Sequence, residues 1–199
     1  MITSAGIRTL AKNVRTEKNP RELARILNRN RIVKVGVHPF YSFFYGNRVK
    51  FPVYLSNVVQ LFQGKEDYEN TFFIFENAYG ANEKARRTFK IGGSEFILKN
   101  PPIYTNRGWI LESSGENEPE FIEMNRKSGS AGKLSAALAQ SDGVLVFGMR
   151  LEHCVRRAVS DIEKMALGAG RIIGGAGRDF FISVNRNFTL AEKDYGKRG

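Results

Sequence analysis

The sequence predicts an α/β (α+β) protein: a mixed or antiparallel sheet, two N-terminal helices, one long C-terminal helix and ordered basic arms. Three observations carry that expectation. Apolar residues recur at helical spacing in the first thirty positions. Two extended runs flank Gly92-Gly93-Ser94, where paired glycines supply the positive φ angles of an antiparallel hairpin. From residue 132 onward the chain alternates helix, strand and helix.

Ile7, Leu10, Ala11 and Val14 make residues 4–15 an amphipathic helix, with Arg8, Lys12 and Arg15 grouped away from the apolar face. Asn19-Pro20-Arg21-Glu22 starts a second helix. Asn19 caps it, Pro20 sits where no amide donor is needed, and Glu22 is expected to reach back to the cap amide. Leu23, Ile26 and Leu27 form its buried stripe, and Arg21, Arg25 and Arg29 recur on another face. Residues 31–37 read as the first strand, with Val33, Val35 and Val37 on one side. The aromatic stretch 39–55 is expected to break into short strands and turns at Pro39, Gly46-Asn47 and Pro52, before a brief helix from Val58 to Phe62. Thr71 to Phe75 is a buried strand, 87–91 with 95–99 the hairpin, and Ile103 to Leu111 a further extended segment. A loop rich in acids and glycine precedes a helix near 132–140, a strand Val144–Phe147 and a long helix from about Arg150 to Leu167, which Gly168-Ala169-Gly170 terminates. Phe180 to Val184 is the last strand. This organisation implies a basic helical arm (1–30), an α+β core (31–184) and a C-terminal tail (185–199).

Composition excludes several classes. A single cysteine forms no internal disulfide, and two histidines with one cysteine argue against a structural zinc site. No apolar run approaches the roughly 20 residues of a membrane helix. With 199 residues the chain buries about two thirds of its unfolded surface without staples. The first 16 residues also fit an amphipathic presequence, but the expectation is that they are retained; they lack the continuous apolar core of a secretory signal.

The net charge of +11 is segregated. Residues 1–34 carry nine Lys/Arg against two acids, residues 112–123 carry five glutamates and no base, and the stretch from Arg171 onward has six bases against three acids. A basic end and an acidic middle suit contact between copies or a basic arm laid on a polyanion; the plainer reading is solubility.

No catalytic constellation stands out. Gly174-Gly175-Ala176-Gly177 lacks the third glycine of a dinucleotide fingerprint, and Gly132-Lys133 is followed by Leu134 where a phosphate loop needs Ser or Thr. His153 and Cys154 are adjacent on a helix, so their side chains diverge; His38 is the other imidazole that can approach the thiol, and core packing is the simpler role for Cys154. Glu118, Glu120 and Glu123 lack calcium-loop spacing. The expectation is therefore no enzyme, no cofactor and no metal. Phe40, Tyr41, Phe43, Phe44, Tyr45, Phe51 and Tyr54, interspersed with Arg48 and Lys50, either stack on bases or pack as ordinary core, and burial is the favoured reading.

Pro102, Ile103, Thr105, Arg107, Trp109, Ser113 and Gly115 approximate a turn leading into an outward strand, followed by a helix at Ser135–Leu138 and a strand from Asp142 to Phe147. This order resembles tailed-phage neck and tail-completion proteins. Asn106 and Tyr104 depart from that pattern, as does the hairpin that stands where a long helix is usual. The resemblance implies a ring subunit at the head–tail junction, without chemistry. Read this way, the chain is a non-enzymatic structural subunit of a virion or other large assembly, in a virion or host cytoplasm, with homo-oligomeric and other subunit partners and no membrane. The alternative is a basic RNA- or DNA-binding protein. Arg8, Arg15, Arg21, Arg25, Arg29, Arg48 and Lys50 are the candidate contacts to neighbours or nucleic acid.

Overall fold

The computed structural model describes residues 3–39, 51–62, 70–76, 87–91, 94–98, 109–113, 130–174, 177–191 and 194. Helices α1 (Ser4–Thr16) and α2 (Pro20–Arg29) precede β1 (Ile32–Val37). Then come α3 (Phe51–Gln60), β2 (Thr71–Glu76), β3 (Arg87–Ile91), β4 (Ser94–Leu98), β5 (Trp109–Ser113), α4 (Ser130–Gln140) and β6 (Gly143–Met149). A π-helical turn, Leu151–Val155, runs directly into α5 (Arg156–Gly168), and β7 (Phe181–Leu190) closes the order.

The sheet corrects the expectation of mixed or antiparallel pairing. Strands β2, β1, β6 and β7 are neighbours in that order, with β5 added outside β2, and every pairing is parallel. Antiparallel pairing is confined to the separate two-stranded hairpin of β3 and β4, which is where the Gly-Gly signal placed it. The physical reason is burial. Every residue of β1 and β6 is buried, so these strands read as continuous apolar runs, as strands do when helices cover both sheet faces. A long segment containing a helix separates β1 from β2, β5 from β6 and β6 from β7, which is what a parallel crossover requires.

Two apolar layers flank the sheet. On one face Ile7 and Val14 of α1, Leu23 and Leu27 of α2, and Tyr54, Val58, Leu61 and Phe62 in and after α3 pack on Ile32, Leu145, Phe147, Phe181 and Phe188. On the other, Leu134 and Leu138 of α4 and Val155, Ala158, Ile162 and Ala166 pack on Val33, Val35, Val37, Phe72, Ile74, Val144 and Val146. Val33, Val35 and Val37 thus share a face as their alternation requires.

The first thirty residues are fastened to this core. Asn185, fully buried in β7, donates from Nδ2 to the carbonyls of Val14 and Glu17 at 2.7 Å each, and Asn187 Nδ2 also reaches the Glu17 carbonyl. Orphan carbonyls at the end of α1 are satisfied by a strand that crosses the boundary expected at 184/185. Helix α1 and strand β7 are thereby joined across that boundary, while residues 192–193 and 195–199 lie outside the described residues.

Local chemistry resolves differently from expectation at the start of α2 and in α3. Asn19 Oδ1 accepts from the amides of Arg21 and Glu22, but the Asn19 amide donates to Glu17, because Glu22 is drawn to Arg25 at 2.7 Å. Helix α3 begins at Phe51, ahead of the expected Val58: Pro52 lies in the first turn, where its missing amide costs no helical bond. Gly170, at φ +79, ends the C-terminal helix, and the Arg171 amide returns to the Ala166 carbonyl.

Candidate functional site at the carboxyl edge of the sheet

From β1 the chain winds outward through β2 to β5; from β6 it winds the opposite way to β7. The reversal falls between β1 and β6. In open parallel sheets the crevice beyond the strand carboxyl ends at such a reversal is where ligands bind, because the crossovers diverge there and leave room.

Gly148 brings the two strand ends together. It has φ +120, and a Cβ there would stand 2.0 Å from the Val37 carbonyl oxygen, so no side chain is admitted. Beside it the β6–β7 ladder is interrupted: Val146 pairs with Val184, but Gly148 pairs with Thr189. Thr189 is 2% exposed and its Oγ1 has no hydrogen-bond partner among the described residues. Phe188 and Leu190 face the α1–α3 layer, so alternation turns Thr189 toward the layer of α4 and α5.

His38 follows β1 directly. It is 3% exposed, adopts φ +43, and donates its amide to the Ile74 carbonyl of β2 at 2.9 Å. Burial, with the Arg150 guanidinium adding to it, holds its imidazole down at about 4. Pro39 is buried next to it, and its carbonyl accepts from the Tyr54 hydroxyl at 2.8 Å. Tyr54 is thus a buried aromatic, as expected; the other aromatics named with it lie outside the residues whose side chains are described.

Arg150 follows β6 after a cis Met149–Arg150 peptide and occupies the N-cap of the π-helical turn. Its carbonyl accepts from the amides of His153 and Val155. A guanidinium has no acceptor, so the Arg150 side chain cannot serve the first helical amides as an N-cap side chain ordinarily does. The combination is a neutral imidazole and a fixed cation beside a helix start of partial positive charge. It suits a ligand that brings negative charge and can exchange a hydrogen bond with a neutral ring. Among the described residues no group of His, Cys, Asp and Glu is placed to hold a metal ion.

The residues singled out from sequence lie elsewhere. Arg8, Arg15, Arg21, Arg25 and Arg29 are exposed on α1 and α2, while Arg48 and Lys50 lie outside the described residues. Cys154 is half-buried in the π-helical turn, packed against the α4–α5 core, and so takes the packing role expected of it. The sequence alone offers His38 only as a partner for that thiol. The signal that finds it is positional: a histidine just after the first strand of an alternating β–α chain. Of the residues carrying the resemblance to neck proteins, only Trp109 and Ser113 are described, at the two ends of β5 on the sheet's outer edge. No protein-family model, curated protein or solved structure matches the chain.

Proposed function

We propose that this chain is an α/β domain that binds a small organic anion at the carboxyl edge of its sheet, with His38 and Arg150 as the groups that meet it. The observation that carries the reading is the reversal of winding between β1 and β6, with His38 and Arg150 following the two strands that flank it. His38 is neutral at physiological pH, which leaves Arg150 as the fixed charge of the pair. This reading is set ahead of a structural subunit because α1 and α2 pack their apolar faces on the domain's own sheet instead of reaching onto a neighbour.

The experiment follows the histidine side-chain resonances of the intact protein, with His38→Asn for assignment. A panel of small organic phosphates and carboxylates is added at neutral pH. The expected binder shifts His38 and the amides of residues 148–153, and raises the His38 titration midpoint from about 4, because a bound anion favours the imidazolium. A saturating binder that leaves His38 and those amides unmoved while shifting another region overturns the proposal.

A further inference from the structure

The outer surface of the α1–α2 layer carries charge that the fold does not use. Arg8, Lys12 and Arg15 stand at i, i+4 and i+7 on α1, and Arg21, Arg25 and Arg29 at i, i+4 and i+8 on α2; all six are exposed, as is Lys18 between the helices. The acids of this layer, Glu17 and Glu22, are both committed. Glu17 Oε1 accepts from the amides of Lys18 and Asn19 at 2.8 Å, and Glu22 pairs with Arg25. Arg31 is committed in turn to Asp142 at 2.9 Å. Among the described residues, Arg8, Lys12, Arg15, Lys18, Arg21 and Arg29 are left facing water without an acid of their own layer.

We infer that this layer is a docking surface for a nucleic-acid backbone, separate from the carboxyl-edge site. Two observations choose that partner. Guanidinium predominates over ammonium, and its planar fork matches phosphate oxygens in pairs. A lipid surface fits less well, because the apolar stripes of both helices are spent on the sheet. Ile7, Val14, Leu23 and Leu27 are at most 1% exposed, and the exposed large hydrophobics, Val53, Leu167 and Ile172, lie outside α1 and α2. With Leu10 and Ile26 half-buried as well, what α1 and α2 chiefly offer a partner is charge, which is how a protein grips a polynucleotide without reading its sequence.

The test uses the full chain and fluorescently labelled mixed-sequence oligonucleotides, double-stranded DNA and single-stranded RNA, read by anisotropy across a salt series. Six phosphate contacts predict a log–log slope between about −4.2 and −5.4, so affinity falls roughly 300- to 2000-fold between 50 and 200 mM salt. Arg21→Gln alone lowers the slope by about 0.7 to 0.9, and the combined Arg8→Gln, Arg15→Gln, Arg21→Gln, Arg29→Gln variant brings it to about −1 to −2. Arg156→Gln, an exposed charge on α5, leaves the slope unchanged. Whichever oligonucleotide binds more tightly identifies the strand type. Absent or salt-independent binding overturns the inference, as do slopes the glutamine variants do not change. Equal or tighter binding to phosphatidylserine vesicles at matched salt overturns it in favour of a membrane. Self-association without nucleic acid that the quadruple variant abolishes overturns it in favour of a second copy.

Discussion

At the amino edge of the sheet, most charge is tied to charge or to carbonyl, although the Nε atoms of Arg171 and Arg178 are buried without a partner among the described residues. Arg31 pairs with Asp142 at 2.9 Å, and the Asp142 amide donates to the Arg31 carbonyl. Arg171 donates to the carbonyls of Ala139, Ser141 and Asp179, lies 3.6 Å from the Asp179 carboxylate and stands over the Phe180 ring. Two crossovers and the starts of β6 and β7 are thereby clipped together. At the carboxyl edge of the same strands the finish is different. A histidine is held neutral in the αL region, a glycine leaves no side chain between strand ends, an arginine takes the cap position, and a threonine hydroxyl is buried without a partner among the described residues. The first edge is built for stability. The second accepts costs of desolvation and conformation that stability alone does not explain, and strain of that kind collects where function needs it.

The largest test of this contrast is the pH dependence of stability. The unfolded imidazole titrates at 6.5 and the folded one at about 4, so between those values the unfolded chain takes up a proton that the native state refuses. The contribution of His38 is intact above pH 6.5 and is lost as pH falls toward 4. At about 1.4 kcal/mol per pH unit it amounts to about 3 kcal/mol. Urea unfolding at pH 7.5 and 4.5 measures it, and His38→Asn is expected to remove most of that difference while tolerating the positive φ. An unchanged pH slope in the variant would move the buried titrating group away from the carboxyl edge.

Arg171→Met tests the opposite edge with a smaller effect. The thioether fills the aliphatic path of the arginine but leaves the three carbonyls without their charged donor. A loss of about 2 kcal/mol at neutral pH is expected, since Arg171 is largely buried and each bond is charge-assisted. A loss within 0.5 kcal/mol, roughly the scale of an ordinary surface change, would show that the amino edge is not the fastened one.

The contrast between edges was only half legible in the sequence. Elements governed by local chemistry stood out: Asn19-Pro20 for α2, the valine alternation of β1, the Gly-Gly hairpin and the glycines after the C-terminal helix. Parallel pairing is a long-range property. The hairpin advertised an antiparallel sheet that it does not join, whereas the parallel signal lay in the absence of alternation in Gly143–Met149 and in the regular return of helices between strands. His38 acquires meaning only once β1 and β6 are known to be neighbours at a reversal of winding, because nothing within a few residues of it marks a site. The arginines of α1 and α2 were legible as an exposed charged surface from their spacing. That the same helices are pinned by Asn185 and Asn187, more than 160 residues away, was not.

The smallest effect is the most diagnostic because its sign is inverted. A buried hydroxyl with no partner loses its hydrogen bonds to water on folding and regains none, so it burdens the native state by about 1 kcal/mol or more. Thr189→Val keeps the branched shape and the strand preference while deleting the oxygen, and is expected to raise stability by about 1 kcal/mol in urea unfolding. Most substitutions of buried residues destabilise, so a gain here is not a generic outcome. A domain that leaves such a group at the carboxyl end of β7, while fastening the amino end with several hydrogen bonds, carries an uncompensated polar group beside Gly148. If Thr189→Val is destabilised instead, the hydroxyl is paired in solution through a buried water, and Thr189 then belongs with Arg171 among the fastenings.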